Sequence, residues 1–121
     1  MSRRWLLLLV AVAVTACGPS RGPLHVGAKS FEEQAILAQV LKGVINRQGM
    51  RATVVECGDT YSCSRALRRG EVDLMVEYTG TAMNLSGVRE RDPATAMVRV
   101  RKLYAEMGVR WLDPLGFDNA Y

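Results

Sequence analysis

Between Leu24 and Leu112 the apolar positions switch repeatedly between a strand-like run and a three-and-four spacing. Leu24–Ala28 is a short apolar run that predicts a strand. Ser30 and Glu33 stand three apart, the spacing of a capping box in which hydroxyl and carboxylate satisfy the free N–H groups of a helix start. The predicted helix carries Ile36, Leu37, Val40, Leu41, Val44 and Ile45 on one face and stops near Gly49. "RATVVEC", Arg51–Cys57, has β-branched residues at its centre and predicts a second strand. A helix from about Tyr61 to Arg69 leads through Gly70 into "VDLMVEY", Val72–Tyr78, where few polar residues indicate a strand covered on both faces. Asp92-Pro93 opens a further helix from Ala94 to about Met107, closed by Gly108. "VRWL", Val109–Leu112, predicts a last short strand before "DPLGFDNAY".

The predicted order is β-α-β-α-β-α-β, which implies an α/β fold with a largely parallel sheet and right-handed crossovers. In such sheets a ligand binds beyond the carboxyl ends of the strands, where loops and helix starts gather. Three polar segments fall there: "AKS" at 28–30, "EYTGT" at 77–81 and "FDNAY" at 117–121. The stretch "GEVDLMVEYTGTAMN" therefore runs from a buried strand into a polar turn at the expected ligand position.

The N-terminus changes the picture of where this chain resides. Met1-Ser2-Arg3-Arg4 is basic, and the apolar run Trp5–Val14 is too short to span a bilayer, so residues 1–16 read as a cleaved export signal. Val14-Thr15-Ala16-Cys17 looks like a bacterial lipobox, with Cys17 lipidated as the mature N-terminus and holding the protein on a membrane surface. Residues 17–23 then form the anchor and a flexible polar linker, and 24–121 a single lobe. Without Arg3 and Arg4 the 16 basic side chains fall to 14 against 12 acidic ones, too balanced to indicate a nucleic-acid partner. Cys57 and Cys63 in "CGDTYSC" are either a disulfide, which an extracytoplasmic location favours, or two half-buried free thiols. The neighbourhood offers too few ligands for a metal site, and His25 reads as a surface or edge residue. No Ser-His-Asp or Cys-His arrangement and no glycine-rich phosphate loop is evident, so hydrolase and nucleotide-binding functions are excluded and no cofactor is implied.

"VGAKSFEEQAIL", "GEVDLMVEYTGTA" and "WLDPLGFDNAY" together resemble the substrate-binding protein of the glycine betaine, carnitine and choline ABC importers, in register from about Val26 to Tyr121. The resemblance implies the N-terminal lobe of a type II periplasmic-binding-protein-like fold, ending about where family members cross into a second lobe. It implies a small quaternary-ammonium ligand, an ABC permease and ATPase complex as partner, and no enzymatic chemistry of the lobe's own. A trimethylammonium group has no N–H to donate, and aromatic faces hold it by cation–π attraction. By motif, Tyr78 and Tyr121 would be walls of an aromatic cage, Lys29 and Thr81 would meet a carboxylate, and Asn119 would add a polar contact at the rim. Glu77 reads as a structural hydrogen-bond acceptor, Trp111 as core, and Arg89, Arg91, Arg99, Arg101 and Lys102 as solvated surface.

Where the family commonly has a Gly-Gly-Thr-like turn, this chain has Gly58-Asp59-Thr60, and the additional carboxylate would either attract a choline-like cation or repel a betaine carboxylate. Three other readings stand beside this one: a binding protein for another small amine or zwitterion, a truncated half without a transport role, and a surface thiol–disulfide protein built on Cys57 and Cys63.

Overall fold

The computed structural model describes residues 22–117. Seven elements follow one another: β1 (Leu24–Lys29), α1 (Glu32–Arg47), β2 (Ala52–Gly58), α2 (Thr60–Arg69), β3 (Leu74–Met75), α3 (Thr79–Leu85) and α4 (Pro93–Glu106). The strands form one parallel sheet in the order β2-β1-β3, with Leu24 opposite Ala52 and Val26 opposite Leu74. The α/β class and parallel arrangement expected from the sequence are therefore present. From β1 to β2 the chain steps one way and from β2 to β3 it steps back across β1, so right-handed crossovers set α1 and α2 on opposite faces.

Two apolar clusters hold the lobe together. Val26, Ala28 and Ala52 of the sheet pack with Ala38 and Ile45 of α1, flanked by Leu24, Leu41, Val54 and Leu74. Ala82 and Met83 of α3 pack with Val100 and Tyr104 of α4, flanked by Val88, Met97, Leu103, Val109 and Trp111. Two aspartates start helices. Asp59 accepts from the Ser62 N–H at 2.7 Å and Asp92 from the Thr95 N–H at 2.8 Å. These bonds satisfy donors that the helix itself leaves open.

Gly27, on the central strand, lets Val72 and Met75 close over the sheet. A Cβ at this position would stand 2.7 Å from Val72 Cγ1 and 3.4 Å from Met75 Cβ. Gly27→Ala is expected to destabilise the protein by about 1–2 kcal/mol through overpacking, read as a lower urea midpoint at unchanged slope. An unchanged midpoint would show that Val72 gives way without cost.

Four sequence expectations are corrected. The Ser30–Glu33 capping box does not form. Ser30 Oγ donates instead to Glu56 Oε1 at 2.8 Å, Glu33 accepts from the Tyr78 hydroxyl, and α1 starts after Phe31 without a side-chain cap. Long-range partners have taken both groups of the local motif. Secondly, the apolar face of α1 is only half covered: Ile45 is buried, whereas Ile36, Val40 and Val44 are exposed. The stripe is wider than the sheet surface beneath it. Thirdly, the strand expected over Val72–Tyr78 pairs only at Leu74–Met75. At one end the Asp73 carboxylate takes the His25 N–H at 2.7 Å while the Asp73 N–H donates to the His25 carbonyl at 2.9 Å, and at the other the Glu77 carboxylate takes the Tyr78 N–H at 2.9 Å, so side chains take up one donor at each end of the short ladder. Fourthly, Val109–Leu112 forms no strand. The Val109 N–H closes α4 on the Tyr104 carbonyl at 2.9 Å, and Trp111 turns edge-on to Tyr104 with ring centroids 5.5 Å apart. Apolar packing against α4 outweighs sheet pairing there.

Candidate functional site

The order β2-β1-β3 makes the carboxyl ends of β1 and β3 a switch point, since the connections leaving these neighbouring strands diverge. A crevice at such a point is the expected ligand position in an open parallel sheet. Lys29 ends β1, and Glu77 with Tyr78 follows β3 into α3. Two side-chain bonds cross the switch point. Lys29 Nζ donates to Glu77 Oε1 at 2.6 Å, and the Tyr78 hydroxyl donates to Glu33 in the first turn of α1. The first two residues of "EYTGT" are thus fixed to β1 and α1.

The Lys29–Glu77 pair is enclosed, with the two side chains 2% and 12% exposed. A charge taken out of water is tolerated when it is paired and hydrogen-bonded, and Glu77 also accepts from the Tyr78 N–H. Its influence extends to α4. The Tyr104 phenol is raised above its ordinary value first by burial and then by the negative charge of Glu77.

A third group at this edge comes from β2. The β1–β2 register runs Ala28 opposite Glu56 and then Lys29 opposite Gly58, so Cys57 is skipped and β2 is bulged at its end. Such bulges bend a strand and re-aim its side chains. Here the skipped residue is joined in a disulfide to Cys63 in the first turn of α2. Both sulfurs lie against the Ala28 carbonyl, at 3.4 and 3.9 Å, and Cys63 is fully buried. The bridge pins the loop carrying Asp59 beside the end of β1, where the Ser30 N–H also donates to the Gly58 carbonyl at 2.9 Å. Hydrogen bonds from the Ser62 backbone and hydroxyl hold the Asp59 carboxyl below its ordinary value, with a smaller contribution from the Arg65 charge. Asp59 is therefore ionised at neutral pH.

Gln34 escaped the motif-based reading. It is 1% exposed, and among the described residues neither its amide oxygen nor its amide nitrogen has a partner. The sheet-facing side of α1 consists of Gln34, Ala38 and Ile45 in succession. Because α1 runs back along the sheet from the end of β1, Gln34 is the member of this row at the carboxyl edge. A buried amide without a partner costs free energy that a bound polar group would recover. The available signal was a glutamine at the start of an otherwise apolar row.

The predicted site residues are thus distributed as follows. Lys29 and Tyr78 are brought to the switch point, each with a carboxylate partner. Thr81 lies half-buried in the first turn of α3. Asn119 and Tyr121, and the lipidation position Cys17, lie outside the described residues. Glu77 is the structural acceptor expected. Arg89, Arg91, Arg99, Arg101 and Lys102 are exposed, with Arg101 on Asp113 at 2.7 Å, and Trp111 flanks the second cluster. Among the described residues no helix is long and apolar enough to cross a membrane.

Comparison with known proteins places this geometry. Residues 22–121 match the family model for the substrate binding domain of the ABC-type glycine betaine transport system. The chain is similar to the glycine-betaine-binding protein of Pseudomonas aeruginosa, 30% identical over 118 residues that make up 95% of this chain and 38% of the relative. It is similar also to the ergothioneine transport permease/ergothioneine binding protein EgtU of Helicobacter pylori, 36% identical over 107 residues, 82% of this chain and 18% of that protein. Among solved structures, apo YehZ from Escherichia coli superposes with a TM-score of 0.65 at 25% identity, covering 71% of this chain and 32% of its own. The chain spans less than two fifths of the length of each of these relatives.

Proposed function

The chain belongs to the substrate-binding domain family of ABC-type glycine betaine transport systems, and from that premise we propose that it captures a quaternary-ammonium osmolyte outside the cytoplasm for an ABC importer. In this reading residues 1–16 are a lipoprotein signal, Cys17 is the lipidated anchor, residues 18–23 are a tether, and the lobe from Leu24 onward presents the ligand site. The importer's ATPase drives transport, and the lobe contributes recognition without catalysis.

The observation that carries the reading is Tyr78 at the switch point, with its hydroxyl held by Glu33. An aromatic ring beside carboxylates suits a cation whose methyl groups offer no hydrogen bond. Glu33 reinforces this in two ways: it fixes the ring through the hydroxyl and adds negative charge nearby. Thr81 lies one turn further on and Asn119 and Tyr121 belong to the last segment, so the reading assigns these four residues and Lys29 to one site.

Tyr78→Ala is expected to weaken binding of choline or glycine betaine about tenfold, the effect of losing one cation–π wall. Tyr78→Phe should retain more affinity than Tyr78→Ala, because it keeps the ring and loses only the bond to Glu33. Equilibrium dialysis of radiolabelled ligand against the full chain measures both. Equal affinity of wild type and Tyr78→Ala would remove Tyr78 from the site and with it the main support for this function.

A further inference from the structure

We infer that the groove between α2 and the ends of α3 and α4 is a second binding site, one that takes a small carboxylic acid with an apolar body. This does not rest on the osmolyte reading.

Tyr61, Ser64 and Arg68 follow one another at spacings of three and four, so they share one face of α2, opposite the buried Cys63 and Ala66. That face is one wall of a groove of about 360 Å3. Leu85 at the end of α3, with Leu103 and Met107 at the end of α4, forms the other. Small-molecule sites have this size and this make-up, apolar walls carrying a few polar groups.

Two of the polar groups here are donors with nothing to donate to. Tyr104 lines the groove and is 5% exposed, yet its hydroxyl has no hydrogen-bond partner among the described residues. The Arg68 guanidinium likewise has no ion pair or hydrogen bond among the described residues. Burial, and after it the charge of Glu77, raises the Tyr104 phenol above its ordinary value, while the charge of Arg68 acts the other way. The hydroxyl is therefore protonated at neutral pH, and Arg68 is near enough for its charge to be felt there. Glu77 is already neutralised by Lys29 at 2.6 Å.

A carboxylate suits this pair of donors, since it has an oxygen for each and charge-assisted hydrogen bonds are the stronger kind. The walls select the rest of the ligand: a hydrocarbon body laid against Leu85, Leu103 and Met107 leaves water. Tyr61, 72% exposed, offers its ring to an aromatic body. Glu106 also lines the groove, and its negative charge sets an upper limit on the charge of the ligand. A single carboxylate is tolerated beside it, whereas a doubly charged anion meets twice the repulsion.

The test is an NMR titration of the uniformly 15N-labelled full chain in dodecyl maltoside micelles at neutral pH, with phenylacetate and phenylacetamide as separate titrants. Phenylacetate should shift the backbone amides of Ser64, Leu85 and Met107 to saturation. Phenylacetamide has the same body without the charge and should bind about tenfold less tightly, the difference between a hydrogen bond to a charged group and a neutral one. Arg68→Gln should weaken phenylacetate about tenfold, and Tyr104→Phe, which keeps the ring in the apolar cluster, about fivefold. Glu106→Gln should tighten it by removing the like charge. Phenylacetamide binding as tightly as phenylacetate, Arg68→Gln binding like wild type, or the absence of saturable shifts would overturn the inference. Shifts confined to Lys29 and Tyr78 would place the carboxylate at the switch point and overturn it as well. Because no quaternary ammonium enters this experiment, its failure is separate from failure of the osmolyte reading.

Discussion

Lys29→Met is expected to cost the fold about 3 kcal/mol, the low end of the range for removing one partner of a buried ion pair. The low end applies because Glu77 keeps one hydrogen bond, from the Tyr78 N–H at 2.9 Å, and is 12% exposed, so water reaches part of the stranded carboxylate. Lys29 itself is 2% exposed, and its long side chain fills space at the end of the central strand, which methionine would largely refill. The loss should therefore come from the charge left behind and not from a cavity. Urea denaturation of three proteins separates these contributions: Lys29→Met, Glu77→Leu with the lysine left alone, and the double variant. Both single variants should fall sharply, and the double variant should recover most of the loss, since an apolar pair of similar volume can replace a buried ion pair at little cost. A Lys29→Met protein within about 1 kcal/mol of wild type would mean that Glu77 finds water or another donor once the ammonium is gone.

The second large effect concerns the Cys57–Cys63 bridge. It closes a loop with a sequence separation of 6, for which the chain-entropy relation gives roughly 2 kcal/mol. Cys57→Ala/Cys63→Ala should accordingly lower stability by about this amount. Wild type treated with a strong phosphine reductant should fall to the same level, and the double variant should be indifferent to the reductant. Cys63 is fully buried, so reduction of the native protein should be slow and should accelerate with denaturant. Equal urea midpoints for oxidised and fully reduced wild type, with reduction verified by thiol titration, would count against the staple. The consequence for the site is local. The bulge at Cys57 and the bridge together decide where Asp59 stands, so loosening one loop alters the charge beside the end of β1.

The sequence carried the elements whose determinants are local. Asp92-Pro93 and Gly108 bracket α4 through a cap, a fixed φ and a left-handed glycine at φ 76°. β1 and β2 read directly from apolar and β-branched runs. The errors occurred where a distant partner competed with a local motif. Ser30 and Glu33 have capping-box spacing, yet Glu56 and Tyr78, far along the chain, satisfy them better. "VDLMVEY" has strand composition, but the carboxylates of Asp73 and Glu77 take the His25 and Tyr78 N–H groups, and its strand is two residues long. At the site, motif reading brought Lys29 and Tyr78 to the correct edge of the sheet. It did not reveal that Glu77 would neutralise Lys29, because the pairing spans 48 positions and depends on β1 and β3 being neighbours. Gln34 stands out in sequence only as a glutamine at the start of an apolar row; that its amide has no partner among the described residues is a property of the folded molecule.

The edge-on contact between Tyr104 and Trp111 has an optical consequence. Trp111 is the sole tryptophan among the described residues, and it sits against α4 in the second cluster. Its emission therefore reports how the α3–α4 half melts, and a change of wavelength on heating or in denaturant follows the exposure of that half.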